Sequence, residues 1–262
     1  MAKFIAIANQ KGGVGKTTTA MNLGVSLKLK GKKVLLVDFD SQANLSEYLR
    51  FENDEELERD TISDLMLAVI NNQDVNVEQC ICHNTQNDID YIPSDLNLAT
   101  IENYLSSTLS RETVLKRVFL NSNIAKNYDY VLIDCPPTLA ILLINALTVC
   151  DEVLIPVQTH KFALDGLTKL NDVITQINNI LNPNIKIIGI VPTLTDNTNI
   201  CKNMLIKLKN VYSNLVFETN IPRCVEAPNS AQSGISVCLQ SGSRLGNEYT
   251  KLATELICRE EL

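Results

Sequence analysis

The sequence predicts an α/β protein with a doubly wound, mostly parallel β-sheet and helices on both faces. Short apolar runs rich in β-branched residues recur along the 262 residues, and helical patterns separate them. The runs are almost continuously apolar rather than alternating, which is typical of parallel strands covered on both faces. Successive parallel strands need crossover helices, and these pack on both sides of the sheet.

The main predicted strands cover 3–9, 33–38, 88–94, 129–134, 151–157 and 185–191, and a short apolar strand is predicted at 215–217. The predicted helices cover 17–30, 97–122, 138–149, 161–181, 200–212 and 243–259. Residues 50–64 carry seven acidic residues and two arginines, which is typical of a solvated surface segment. Neither this segment nor the polar stretch 195–203 is long enough to link two domains. We therefore expect a single domain over residues 1–262.

Composition and charge limit the classes of partner. A net charge of −7 gives no overall attraction to nucleic acid or to an anionic membrane, so such contacts require a local patch. The eight cysteines never form a C-x-x-C motif, and the first residues do not resemble a signal peptide. No apolar run approaches the roughly 18 residues of a spanning helix. We expect a cytoplasmic protein with free thiols.

The stretch "NQKGGVGKTT", residues 9–18, follows the first predicted strand and opens a helix. Glycines leave backbone N–H groups free to face an anion, and the helix N-terminus favours negative charge. The strict pattern G-x-x-x-x-G-K-[ST] fails at Gln10, and the dinucleotide pattern G-x-G-x-x-G fails at Thr18. The residues predicted to hold a nucleotide triphosphate are Gly12, Gly13, Val14, Gly15, Lys16, Thr17 and Thr18.

Within this loop, Lys16 is predicted to reach the β- and γ-phosphates, and the Thr17 hydroxyl to ligate Mg²⁺. Carboxylates follow two later strands. Asp38 and Asp40 end the strand at 33–38 and point the same way from an extended chain, while Asp134 ends the strand at 129–134. Ligand-binding residues gather at the carboxyl ends of such strands, and clustered carboxylates favour a metal ion. A cap for the helix near residue 138 is the alternative role for Asp134.

With these motifs the sequence resembles the ParA/MinD group of ATPases, SIMIBI-type P-loop NTPases whose deviant phosphate loop reads "KGGVGKTT". The resemblance covers most of the chain and implies ATP and Mg²⁺ as ligands. It also implies that Lys11 crosses the interface of an ATP-bound dimer to the partner's phosphates, where it stabilises transition-state charge as an arginine finger does. Asp40 would orient the attacking water.

The same resemblance assigns Asp38 and Asp134, together with Thr17, to the magnesium shell. The pair Ile221 and Pro222 would belong to the adenine pocket. The group usually reads D-x-D-P-Q-[GA]-N after the second strand, and this chain has Ser41 in place of the proline. Because proline would fix φ there, serine is expected to loosen the loop without changing its chemistry.

Partners are less well defined by the sequence. The resemblance implies a homodimer in the ATP state and a ParB-like or other adaptor protein with a basic N-terminal peptide. Non-specific DNA binding is doubtful, because Glu226 occupies the position of a DNA-contacting arginine, although the three lysines at 202, 207 and 209 form a small candidate patch. The acidic ending "ATELICREEL" argues against a membrane-binding helix.

Three function classes remain open on the sequence. The first is a dimeric ATPase switch that partitions or positions a plasmid, chromosome, mobile element or other cargo. The second is a P-loop enzyme, either an iron protein with Cys135 as a cluster ligand or an ATP-dependent amide-forming or carboxylating synthetase. The third is a regulator that uses the ATP cycle on protein partners without DNA.

Overall fold

The computed structural model describes residues 1–49, 60–120, 122–160 and 163–261. Its sheet has seven strands in the order β3-β4-β2-β5-β1-β6-β7, and all neighbours are parallel except β3 and β4. The strands are β1 (Lys3–Ile7), β2 (Val34–Asp38), β3 (Cys82–Asn84), β4 (Ile89–Ile92), β5 (Tyr130–Asp134), β6 (Glu152–Gln158) and β7 (Lys186–Thr193). This topology confirms the predicted doubly wound, mostly parallel sheet.

Eleven helices lie in the described part of the chain. They are α1 (Lys16–Leu29), α2 (Asn44–Leu49), α3 (Ile62–Ile70), α4 (Asn97–Ser107), α5 (Val114–Leu120), α6 (Ile124–Asn127), α7 (Ile141–Val149), α8 (Ala163–Ile180), α9 (Asn199–Tyr212), α10 (Glu226–Ser233) and α11 (Arg244–Glu260).

Two apolar cores cover the two faces of the sheet. Along β1, Ile5 and Ile7 join the core formed with α1, α2 and α11, whereas Phe4 and Ala6 join the core formed with α3, α4, α5, α7 and α8. This is the period-two alternation of side chains along a strand. Because both faces are covered, the strands carry almost no exposed side chains, as their continuous apolar pattern predicts.

The structure corrects several element boundaries. The predicted helix at 97–122 is two helices, because the Thr108 hydroxyl donates to the Tyr104 carbonyl and Ser110 takes a left-handed conformation with φ 52°. The predicted strand at 215–217 is also wrong, since only Val216 bridges to Ile190. Helices α2, α3, α6 and α10 and strand β3 were not predicted. Of the acidic stretch 50–64, residues 50–59 lie outside the described residues, and Thr61 caps α3.

The carboxyl ends of the central strands meet at one edge of the sheet. Strand β5 lies between β1 and β2, so the loop after β1, the end of β2 and the end of β5 converge there. Helix α1 begins at this edge and points its N-terminus toward it. The predicted loop and all three predicted aspartates are therefore brought to one place.

Candidate functional site

A cavity of about 690 Å³ opens at this edge of the sheet. Its lining includes seven of the residues predicted for the site, namely Gly12, Gly13, Gly15, Lys16, Thr17, Thr18 and Asp40. Three further lining residues continue the motifs that carry the predicted acids, namely Gln42 and Asn44 after Asp40 and Pro137 after Asp134. The other five were not predicted: Glu47, Tyr48, Leu194, Ala231 and Gln232. These five come from α2, the end of β7 and α10, whose approach to the loop has no local signal in the sequence.

The loop after β1 forms a cradle of backbone groups. Gly13 and Gly15 have φ of 71° and 85°, a left-handed conformation in which a Cβ would be strained. Gly15 caps α1, and the side chain of Lys16 is buried within the wall of the cavity. The Thr193 hydroxyl donates to the Val14 carbonyl at 2.8 Å, which fixes the loop to the end of β7. Backbone donors, a helix N-terminus and a cation are therefore gathered at one side of the cavity, an arrangement that favours an anion.

Asp38 lies beneath the cavity and is fully buried. Its Oδ2 accepts hydrogen bonds from the backbone N and the hydroxyl of Ser46 at 2.8 and 2.7 Å, and its Oδ1 accepts from Asp40 N at 3.2 Å. Burial raises the pKa of Asp38 to about 6, although the Ser46 hydrogen bonds oppose the rise. In this geometry the carboxylate ties β2 to α2. Its assignment to the magnesium shell stays a prediction.

Asp40 differs from Asp38 because it reaches the cavity wall. Its Oδ1 accepts from Gln42 N at 3.0 Å, and its carbonyl accepts from the Ser94 hydroxyl at 2.9 Å. Ala43, at the glycine-or-alanine position of the motif, takes φ 51°, a left-handed conformation that glycine adopts more readily. The turn after β2 therefore holds one carboxylate at the cavity.

Asp134 is buried, and neither of its carboxylate oxygens has a hydrogen-bond partner. Burial, with the neighbouring Asp38 carboxylate, raises the pKa of Asp134 to about 8, while Thr17 and Lys16 oppose the rise. The Thr17 hydroxyl is near enough to act on this pKa but lacks good hydrogen-bond geometry. An unpaired buried carboxylate costs free energy unless a cation neutralises it. Together with the Thr17 hydroxyl, these oxygens suit a hard divalent cation such as Mg²⁺.

Lys11 is exposed and does not line the cavity. Its Nζ donates to the amide oxygen of Gln158 at 2.9 Å, and its backbone N donates to Asn9 Oδ1 at the same distance. The ammonium group is therefore held at the surface beside the phosphate loop.

The predicted base-binding pair lies on the other side of the loop. Ile221 and Pro222 line a cavity of about 40 Å³ together with Gly15, Thr18 and Leu194. Leu194 has φ 51°, an uncommon conformation for leucine that places it between this small cavity and the large one. The recess adjoins the phosphate cradle but is too small in this structure to hold a base, so the assignment of Ile221 and Pro222 to the adenine pocket stays a prediction.

The described part of the chain contains no disulfide, and five of the eight cysteines are buried. The Cys135 thiol donates to the Ile133 carbonyl, and burial raises its pKa well above its usual range. Since a metal cluster binds thiolate, this environment does not suit a cluster ligand. Within the described ranges, no helix is long and apolar enough to cross a bilayer.

Sequence and structure comparisons agree on the relatives of this chain. The AAA_31 family model, an AAA domain, matches residues 2–187. The chain is 40% identical to the sporulation initiation inhibitor protein Soj of Bacillus subtilis, over 98% of each chain. It is 37% identical to the chromosome partitioning protein ParA of Caulobacter vibrioides, over 98% of this chain and 95% of that one.

Two solved structures extend this similarity. Cobyrinic acid a,c-diamide synthase from Mycobacterium smegmatis, with a bound ATP analogue and magnesium, matches with a TM-score of 0.82 and 29% identity over 100% of this chain and 96% of that chain. A putative plasmid partition protein from Borrelia burgdorferi, bound to AMPPNP, matches with a TM-score of 0.79 and 26% identity over 100% and 99%. The relatives, the seven-stranded sheet and the phosphate loop lead to one conclusion: the chain belongs to the ParA/Soj family of P-loop ATPases.

Proposed function

We propose that the protein is a nucleotide-driven switch that closes into a homodimer around two molecules of ATP with Mg²⁺ and hydrolyses them to ADP and phosphate. The cycle would partition or position a plasmid, chromosome, mobile element or other cargo in the cytoplasm. Relatives named for chromosome and plasmid partition support the biological role. Related structures that hold an ATP analogue, one of them with magnesium, support the ligands.

The residues at the cavity divide this work between them. The loop amides and Lys16 bind the β- and γ-phosphates, and Ile221 and Pro222 contact the base. Asp134 and the Thr17 hydroxyl would hold the Mg²⁺ ion, which when bound neutralises charge on the phosphate oxygens. Asp40, at the cavity wall, accepts a hydrogen bond from the attacking water and orients it. Lys11 would act on the nucleotide of the partner subunit.

The single observation that carries the proposal is the unpaired carboxylate of Asp134 beneath a phosphate cradle. The test is ATP binding by calorimetry with and without Mg²⁺, followed by phosphate release. The wild type should bind more tightly with Mg²⁺ and release phosphate. Asp134→Asn should lose the effect of Mg²⁺, while the control Asp172→Asn, which changes an exposed residue of α8, should retain it. Binding that is indifferent to Mg²⁺ in the wild type would contradict the proposal.

A stimulating partner is part of this proposal. An adaptor of the ParB type with a basic N-terminal peptide suits a chain of net charge −7, because complementary charge speeds association. Glu47 is exposed at the cavity rim, where such a peptide would meet the nucleotide face. Phosphate release should therefore rise when the adaptor peptide is added, and less so at high salt.

A second candidate is the same switch acting on protein partners without DNA. One observation favours it: the Glu226 carboxylate accepts hydrogen bonds from the Ser243 hydroxyl and from Leu245 N, which holds an acidic group at the start of α11. In addition, Lys209 of the candidate basic patch is paired with Glu218 at 2.6 Å. A salt-dependent DNA shift with ATP but not with ADP would select the DNA-binding version, and its absence would select this one.

The two enzyme alternatives have less support. Amide formation is the activity in the name of the Mycobacterium synthase, whereas the two lysines of the loop in this chain, Lys11 and Lys16, favour a switch. The buried Cys135 disfavours a shared iron cluster. A purified protein with iron-dependent absorbance in the visible range would restore the iron-protein alternative.

A further inference from the structure

Lys11 and Lys16 stand five residues apart, yet the structure places their ammonium groups in different surroundings. Lys16 is buried in the wall of the 690 Å³ cavity, whereas Lys11 is exposed and lies outside the lining. The Nζ of Lys11 is bonded to Gln158 Oε1, at the last residue of β6. Lys11 is thus hydrogen-bonded within its own subunit and is not directed at the nucleotide site of that subunit.

The backbone around Lys11 is fixed to the same strand. The Asn9 side chain is buried, with its Nδ2 donating to the Pro156 carbonyl at 2.7 Å and its Oδ1 accepting from Lys11 N at 2.9 Å. Pro156 and Gln158 are alternate residues of β6, which pairs with β1. Two contacts therefore join the start of the phosphate loop to the end of β6, and the second of them, from Lys11 to Gln158, involves the side chain that would cross to the partner.

A lysine without a hydrogen-bond acceptor at position 11 could be attracted to the wrong nucleotide, the one in its own subunit. A triphosphate in the same subunit would attract any mobile ammonium group within reach of its flexible four-carbon stem. Gln158 is half-buried at the end of β6, and this environment restricts the position of its amide oxygen, which accepts the hydrogen bond. Because the amide is neutral, it holds the lysine without neutralising the charge, and the bond is weak enough to break when a better acceptor arrives.

We infer that Gln158 is a positioning residue that keeps Lys11 in a resting place on its own subunit, and that this hold competes with the crossing of Lys11 to the partner's phosphates. The second part of this inference, the competition with crossing to the partner, rests on the proposed function. A stronger acceptor at position 158 then opposes ATP-dependent dimerisation, and the loss of the acceptor promotes it.

The first experiment measures the dissociation constant of the ATP-bound dimer by sedimentation. Gln158→Met removes the acceptor at similar length, and Gln158→Glu replaces it with a charged, stronger one. We expect the dissociation constant to fall about fivefold in the Met variant and to rise about fivefold in the Glu variant, the effect of one hydrogen bond of modest net strength. Both changes should vanish in a Lys11→Ala background. Equal shifts in both backgrounds, no shift, or the reverse order would overturn the inference.

The second experiment tests the contact itself in the nucleotide-free protein. Acylation of the Lys11 amine is followed by mass spectrometry, with exposed Lys116 as the internal reference. Labelling of Lys11 should quicken in Gln158→Met and slow in Gln158→Glu, and unchanged labelling would overturn the inference. If labelling changes as expected but the wild type stays monomeric with ATP, the proposed function and the competition fail while the resting contact stands.

Discussion

Asp38 and Asp134 are register partners at the carboxyl ends of the adjacent strands β2 and β5, yet of their two carboxylates only that of Asp38 accepts hydrogen bonds. The Ser46 hydrogen bonds turn Asp38 into an internal brace for the loop that carries Asp40. The oxygens of Asp134 have no hydrogen-bond donor, and they are the ones proposed to hold the cation. The two carboxylates thus have different surroundings, and the consequences of this difference can be tested.

Replacing Asp134 with asparagine should stabilise the nucleotide-free protein in a pH-dependent way. The pKa of Asp134 is about 8 in the folded chain against an ordinary 3.8, so ionisation penalises the folded state from about pH 4 upward and fully above about pH 8. At pH 8 the free energy of unfolding should rise by several kcal/mol in Asp134→Asn, and by markedly less at pH 5, because each unit of pKa shift corresponds to about 1.4 kcal/mol. Urea unfolding at both values measures it. A variant less stable than the wild type at pH 8 would contradict the account.

Removal of the Ser46 hydroxyl tests the brace. That hydroxyl donates to Asp38 Oδ2 and accepts from Ser94 N, and all three groups are buried. Ser46→Ala should lower the free energy of unfolding by about 1–3 kcal/mol, because a buried carboxylate loses a donor. The matched control is Ser106→Ala, whose hydroxyl bonds only to a carbonyl on the exposed face of α4. Equal effects of the two substitutions would show that Asp38 needs no brace.

Glu226 offers a third test, because its carboxylate joins α10 to the start of α11. Hydrogen bonding to Ser243 lowers the pKa of Glu226, so the group is ionised at neutral pH and favourably placed at a helix N-terminus. Glu226→Ala should lower the melting temperature, and Glu226→Gln, which keeps an acceptor, should lower it less. Calorimetry compares them. Equal melting temperatures for all three proteins would leave Glu226 without a structural role.

Substitution of Asp40 addresses the catalytic step. Asp40 lines the cavity but is not needed for the cradle of loop amides, so Asp40→Ala should bind ATP and fail to hydrolyse it. The ATP-bound dimer should then accumulate and be visible by light scattering, with ADP leaving the same variant monomeric. If Asp40→Ala remains monomeric with saturating ATP, ATP does not drive dimerisation.

Much of the site could be predicted because each of its parts has a local signal in the sequence. The loop 12–18 and the acids at the ends of β2 and β5 follow from strand patterns and from the rule that carboxyl ends of parallel strands gather ligands. The family resemblance implied that Asp38 and Asp134 share one metal shell, and this assignment stays a prediction. The hydrogen bonds from Ser46 give the two carboxylates different surroundings, and no sequence pattern signals those bonds in advance.

Other features depend on contacts between distant parts of the chain. Gln158 lies 147 residues from Lys11, and α10 reaches the cavity through Ala231 and Gln232 without an apolar periodicity of its own. Strand β3 has three residues and is too short to show a pattern. The break between α4 and α5 depends on local hydroxyl bonds that compete with a helical pattern. These features required the structure.

The central claim, that each subunit lends Lys11 to its partner's nucleotide, is tested most directly by mixing two inactive variants. Lys11→Ala and Asp40→Ala should each lose hydrolysis, by about 100-fold or more for the loss of a transition-state cation. When they are mixed before ATP is added, the mixed dimer has one complete site, built from Asp40 of one subunit and Lys11 of the other. Phosphate release should then recover to about a quarter of the wild-type rate, as random pairing in a symmetric dimer predicts. A mixture as inactive as its two components would show that Lys11 does not act across the interface.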